Sequence, residues 1–160
     1  MKLNSFEEVK RLTQEMVAIP SINKEPKGET AVAQYIYDYY MGLDYFKEHP
    51  ERVKMFQTKN DFVERHSTYA YVKGTKGDSG RTVILIGHLD TVGVDDFGTI
   101  REYAFKCEEL PEKLKETFKL SDEVLADIES GEYMFGRGAL DMKSGVAGHM
   151  YLIKYFSEHP

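Results

Sequence analysis

The run Thr82-Val83-Ile84-Leu85-Ile86 constrains the fold more than any other stretch of this chain. Its aliphatic residues follow one another without alternation. That pattern predicts a central strand covered on both faces, not a strand with one wet face. Such a strand needs neighbouring strands and flanking helices. Thr68-Tyr69-Ala70-Tyr71-Val72 has strand character, and Thr75 to Gly80 reads as a turn, so a hairpin into Thr82–Ile86 is expected.

Helices are predicted on either side. Ser5-Phe6-Glu7-Glu8 forms a capping box, and Phe6, Val9, Leu12, Met16 and Val17 recur at helical spacing until Pro20. Residues 21–28 read as a loop. Val32, Tyr35, Ile36, Tyr39 and Tyr40 mark a second helix over 29–42, its stripe expected to pack on the sheet. Residues 101–132 carry ten acids against five bases and read as a solvated acidic insertion, with a short helix capped by Ser121. From Met142 to about Phe156 the chain is apolar nearly all round and predicts a buried helix. Tyr45-Phe46-Lys47-Glu48-His49-Pro50 and Tyr155-Phe156-Ser157-Glu158-His159-Pro160 both read as helix ends, and their likeness as chance. The expected fold class is α/β, a mixed sheet flanked by helices.

Composition removes several function classes. With 27 acids and 21 bases the net charge is -6, which argues against nucleic acid as a partner, because phosphate neutralisation needs a basic surface. No run approaches the ~18 apolar residues of a membrane span. The first fifteen residues lack the apolar core of a signal peptide. The single cysteine, Cys107, excludes an internal disulfide framework, and a cytoplasmic location is expected.

The chemistry concentrates in two stretches. Gly87-His88-Leu89-Asp90-Thr91-Val92 follows the apolar run, at the strand end where α/β folds bind ligands. His88 and Asp90 are two apart, so an extended backbone sends both side chains to one side. Asp90 can then accept the ring N–H of His88 and aim the other nitrogen at a metal. On its own, His-x-Asp fits a structural strand-end hydrogen bond equally well. The second stretch is Gly136-Arg137-Gly138-Ala139-Leu140-Asp141-Met142-Lys143-Ser144-Gly145. Its glycines allow a tight turn. Asp141 has the right sign for the helix dipole and reads alone as a cap, and Lys143 as a surface charge. A phosphate- or nucleotide-binding role ranks last. The stretch lacks both the Lys-Ser/Thr ending of a P-loop and the third glycine of the dinucleotide fingerprint. His149 reads as a packed helix residue, and His49, His66 and His159 as surface residues.

Together the two stretches resemble the di-zinc metallohydrolases of the aminoacylase, carboxypeptidase and desuccinylase family. The acidic insertion and the Phe135-Gly136-Arg137-Gly138 lead are similar to that family's bacterial arginine-utilisation branch, the Roc B type. Ile19-Pro20-Ser21-Ile22 also looks like the family. The resemblance implies a partial zinc-peptidase (phosphorylase/hydrolase-like) catalytic domain. It implies zinc as cofactor, two ions in the complete site, and a small acylated amino acid or peptide as substrate. On matching positions it makes His88 a ligand of one zinc and Asp141 the carboxylate bridging both. Asp90 becomes the catalytic aspartate that orients and polarises His88. It also implies a cis peptide bond between Asp141 and Met142.

The family's paired glutamates, general base and ligand, follow the bridging aspartate. After Asp141 the sole acid here is Glu158. The expectation is therefore that residues 1–160 form the N-terminal part of a catalytic domain, without its lid domain and C-terminal half. Alone it would be inactive as a hydrolase. A chain in that state exposes a sheet edge and apolar surface, so self-association is expected. The competing reading is a catalytically incompetent α/β module with an association or regulatory role.

Overall fold

In the computed structural model, which describes residues 5–77 and 79–160, two helices from the start of the chain and one from its end enclose the core. Helix α1 spans Ser5–Val17, α2 Gly28–Met41 and α6 Ser144–Glu158. Between them lie α3 (Asp44–Glu48), strands β1 (Val53–Gln57) and β2 (His66–Ala70), α4 (Leu110–Thr117) and α5 (Asp122–Ser130). The core joins Leu12 and Met16 of α1, Val32, Ile36 and Tyr40 of α2, and Val146, Ala147 and Met150 of α6. Phe46 and Val53 close it from α3 and β1. These positions follow the 3.6-residue period that put them on one face.

The tyrosines of α2 divide their roles. Tyr40 is buried in the core. Tyr35 and Tyr39 instead turn to α1, where their hydroxyls donate to Glu15 at 2.5 Å and Glu8 at 3.1 Å. Lys154 of α6 donates to the same Glu8 at 2.7 Å, so one carboxylate ties three helices together. Thr68 of β2 donates to the Ala33 carbonyl at 2.6 Å and fastens the hairpin to α2.

The fold is mixed α/β, but the sheet differs from the expected one. β1 and β2 form a two-stranded antiparallel sheet with Val53 opposite Ala70 and Gln57 opposite His66. The hairpin thus pairs 53–57 with 66–70, not 68–72 with 82–86. The sequence hides this turn because residues 58–65 contain no glycine or proline. Asn60 and Glu64 take the positive φ values instead, 58° each. Of the expected turn over Thr75 to Gly80, Asp78 lies outside the described residues, and the rest does not link strands.

Thr82–Ile86 is not a central strand. It forms no ladder, and Val83, Ile84 and Ile86 are 84%, 74% and 79% exposed. Apolar content selects a strand only where another backbone supplies N–H and C=O partners, and among the described residues no backbone hydrogen bond reaches this run. Its continuation does pair: Thr91 bridges Ile22 in parallel.

Two further expectations need correction. α6 is buried on one face only, with Leu152 39% and Phe156 51% exposed. The acidic segment is not wholly solvated, since Ala104 and Leu110 are buried. Ser121 does cap α5, accepting from the Val124 N–H at 3.4 Å. His49, His66, His149 and His159 are half-buried. The two Tyr-Phe-x-Glu-His-Pro stretches share a local structure, each ending a helix with its histidine packed on the tyrosine one turn back. Among the described residues no helix is long and apolar enough to cross a membrane.

Candidate functional site

The end of α1 and the loop after it, residues 16–23, hold both motif stretches. Ser21 is fully buried, and its hydroxyl donates to the Leu89 carbonyl at 2.6 Å. The Thr91 N–H donates to Ser21 O, and the Asn23 N–H to Thr91 O, each at 2.8 Å. These bonds fix the backbone on either side of Asp90. From the other stretch, Lys143 Nζ donates to Met16 O at 2.9 Å and Ile19 O at 2.8 Å, at the carbonyl end of α1. A cation there is favoured by the helix dipole. Lys143 is 1% exposed, so the expectation of a surface charge is wrong. Burial pushes its ammonium down to about 8.

The turn carrying Asp141 is wound tightly against this frame. The Arg137 N–H donates to Ala104 O at 2.7 Å, Ala139 N–H to Gly136 O at 3.1 Å, and Lys143 N–H to Gly138 O at 2.9 Å. Gly138 has φ 84°, and a Cβ there would stand 2.5 Å from Thr91 Cγ2. Only glycine satisfies both the backbone angle and the close approach. Gly87 plays the matching part on the other stretch, where a Cβ would stand 2.7 Å from Val146 of α6. The Asp141–Met142 peptide is cis, as the resemblance implies.

These constraints bring His88 and Asp141 together from 53 residues apart, His88 Nε2 lying 2.8 Å from Asp141 Oδ1. On the other side of the ring, Nδ1 lies 3.1 Å from the Asp90 carbonyl oxygen and 3.3 Å from Asp90 Oδ1. Asp90 therefore faces His88 as its spacing predicts, with the backbone carbonyl nearer than the carboxylate. Burial disfavours the imidazolium, but the hydrogen bonds to Asp141 and the Asp90 carbonyl and the two carboxylate charges outweigh it, and His88 is held above the ordinary histidine value.

A neutral imidazole nitrogen and a carboxylate oxygen are donor types that suit zinc. Among the described residues no group of three or more His, Cys, Asp or Glu side chains is arranged so that it could hold a metal ion. His88 and Asp141 thus fit a metal in kind and supply two donors, fewer than the four of a closed tetrahedral site. They border a pocket of about 310 Å³ that Thr91, Arg137 and Leu140 also line. That volume is at the small end for small-molecule sites, ~300–1,000 Å³.

Sequence reasoning missed Ser21, Lys143 and Arg137. Ser21 lay in a stretch noted only for resemblance, and nothing in a lone lysine signals burial, because lysine is rarely buried. Arg137 pairs with Asp96 and stacks over Phe97, 5.2 Å from the ring centre.

No protein-family model and no solved structure matches the chain. The chain is similar to Protein RocB of Bacillus subtilis (strain 168), 40% identical over 157 residues, which are 98% of this chain and 27% of that protein. It is also similar to the uncharacterized protein YqjN of the same organism, 33% identical over 155 residues, 96% of this chain and 27% of that protein. The chain spans 27% of the length of these curated relatives, and the similarity to Protein RocB runs over 98% of its own.

Proposed function

We propose that this chain supplies part of the catalytic domain of a zinc-dependent hydrolase that cleaves an amide or peptide bond of an acylated amino acid or small peptide, in arginine utilisation. One observation carries the reading. His88 Nε2 meets Asp141 Oδ1 at 2.8 Å while Asp90 holds Nδ1. Two polar groups brought together by backbone segments that only glycine fits at Gly87 and Gly138, beside a pocket, are more than a strand-end hydrogen bond requires. Similarity to RocB supports the arginine-utilisation branch.

The roles of this chain's own residues follow from the geometry. The Asp90 carbonyl accepts the Nδ1 proton of His88, so the proton that Nε2 donates to Asp141 is the one whose loss would free that nitrogen for a metal. Asp141 presents a carboxylate whose side chain is 85% exposed. Lys143 and Ser21 anchor the two backbone segments to one loop, so the imidazole and carboxylate keep their separation. Zinc bound by His88 and Asp141 would polarise the amide carbonyl and acidify a water. None of these side chains is placed as the general base, a role the resemblance gives to a glutamate after the bridging aspartate.

Calorimetric titration with zinc tests the reading. Zinc binding by the chain that disappears in Asp141→Ala is expected. Binding no stronger than that of Asp141→Ala favours the second reading, a non-catalytic module that works by association. The exposure of Val83, Ile84 and Ile86 favours that alternative. Sedimentation velocity would then show a dimer that Ile84→Lys abolishes.

A further inference from the structure

We infer that Arg65 is a positioning residue for the His88–Asp90 pair, a clamp on the loop that fixes the backbone around Asp90. This deepens the hydrolase reading, on which it rests for the use made of that pair. Neither the two motif stretches nor the resemblance points to Arg65. Three observations carry it.

One guanidinium joins three separate segments. Arg65 Nε donates to Glu29 Oε1 at 2.9 Å, in the first turn of α2. One terminal nitrogen donates to Asp61 Oδ1 at 3.1 Å, in the loop between β1 and β2. The other donates to Asn23 Oδ1 at 3.4 Å, in the loop after α1. The Arg65 N–H adds a bond to Asp61 Oδ2 at 2.9 Å, so the side chain leaves from a fixed backbone. Three directed bonds of this kind need the planar fork of arginine, which a lysine ammonium does not reproduce.

The segment so held is the one that fixes Asp90. The Asn23 N–H donates to Thr91 O and the Thr91 N–H to Ser21 O, and the Ser21 hydroxyl donates to Leu89 O. Asp90 lies between Leu89 and Thr91, and its carbonyl faces His88 Nδ1 at 3.1 Å. The same loop is wedged against the start of α2. A Cβ at Gly28 would stand 2.9 Å from both Pro20 O and Ser21 Cα. Arg65 therefore grips the loop at Asn23 and, through Glu29, the helix turn behind it.

Charge reaches the site along the same line. The hydrogen bond to Glu29, then the charges of Glu29, Asp61 and Asp90, hold the guanidinium above the ordinary arginine range against desolvation. Glu29 and Asp61 are 12% and 7% exposed on their side chains, which shelters these pairs from salt.

A clamp that served the hairpin alone would behave differently. Asp61 organises the hairpin loop, since it also accepts from the Val63 N–H at 3.4 Å. Only the arm to Asn23 and the charge of Arg65 point towards Asp90.

The test follows the His88 ring nitrogens of the full chain by long-range nitrogen–proton spectra, metal-free and with the ring neutral. In Arg65→Gln the Nδ1 and Nε2 resonances are expected to approach each other, as the proton is no longer confined to Nδ1. Asn23→Ala, at an exposed side chain, cuts only the arm towards Thr91 and should move both resonances in the same direction, which keeps the test open if Arg65→Gln fails to fold. Asp61→Asn should leave them in place. In calorimetry Arg65→Gln should weaken zinc binding about tenfold and Asp61→Asn less than about twofold. His88 resonances unchanged in both Arg65→Gln and Asn23→Ala, or moved as far by Asp61→Asn, would overturn the proposal. Zinc that fails to bind the parent chain contradicts the hydrolase reading instead, and the metal-free spectra still decide the role of Arg65.

Discussion

The turn from Gly136 to Lys143 and the run from Thr82 to Ile86 reverse the ordinary relation between polarity and burial. The turn is glycine-rich and charged, yet its backbone is hydrogen-bonded at Arg137, Ala139 and Lys143, and its lysine is buried. The run is the most aliphatic stretch of the chain, yet Val83, Ile84 and Ile86 stay exposed. The difference lies in partners. The turn meets carbonyls at the end of α1 and in the loop after it, while among the described residues no backbone hydrogen bond reaches the run. Burial therefore follows where polar groups find partners as much as where apolar groups accumulate.

That comparison can be broken most forcefully at Lys143. Lys143→Ala leaves the Met16 and Ile19 carbonyls without donors and opens a cavity. A loss of about 3 kcal/mol in urea unfolding is expected. The lysine also sets a pH dependence. Its folded value is about 8, against roughly 10.4 for a free lysine. Between these values the unfolded chain binds more protons, so stability should rise with pH from about 8 to about 10, at up to roughly 1.4 kcal/mol per pH unit. Tyr35, Tyr39 and Tyr40 act oppositely. Burial raises all three, and Glu15 and Glu8 raise the first two further, so stability should fall once pH passes ~10. Lys143→Met should abolish the rise and leave the fall.

Gly138→Ala comes next. A positive φ and a clash with Thr91 should cost about 2 kcal/mol, measured in the same way. Ser21→Ala removes the bond to Leu89 O and should cost about 1 kcal/mol. Ile84→Lys is the smallest change. At a residue 74% exposed it should alter stability by less than about 0.5 kcal/mol. A large loss there would show that the run is buried after all.

Much of the framework is legible in the sequence because it rests on local rules. α1 and α2 follow from periodicity and α5 from its Ser121 cap, and α1 ends shortly before Pro20 as expected. The approach of His88 to Asp141 is legible only through the resemblance, since no local pattern reports a contact across 53 residues. The hairpin register escapes because its turn uses Asn60 and Glu64 where glycine is the usual signal. The exposure of Thr82–Ile86 escapes because an apolar run states a preference for burial without naming the strand that would cover it. Lys143 and Arg137 escape for a shared reason. A basic side chain reads as solvated until the carbonyls or ring beside it are known.

The central claim is that Asp90 and Asp141 hold opposite nitrogens of one imidazole and so present Nε2 to a metal. The measurement that addresses it most directly is the long-range nitrogen–proton spectrum of the His88 ring during a zinc titration. The account predicts that the Nε2 resonance moves on zinc binding while Nδ1 remains protonated beside Asp90. A zinc-induced shift at Nδ1, or two nitrogen resonances unchanged in excess zinc, would contradict it.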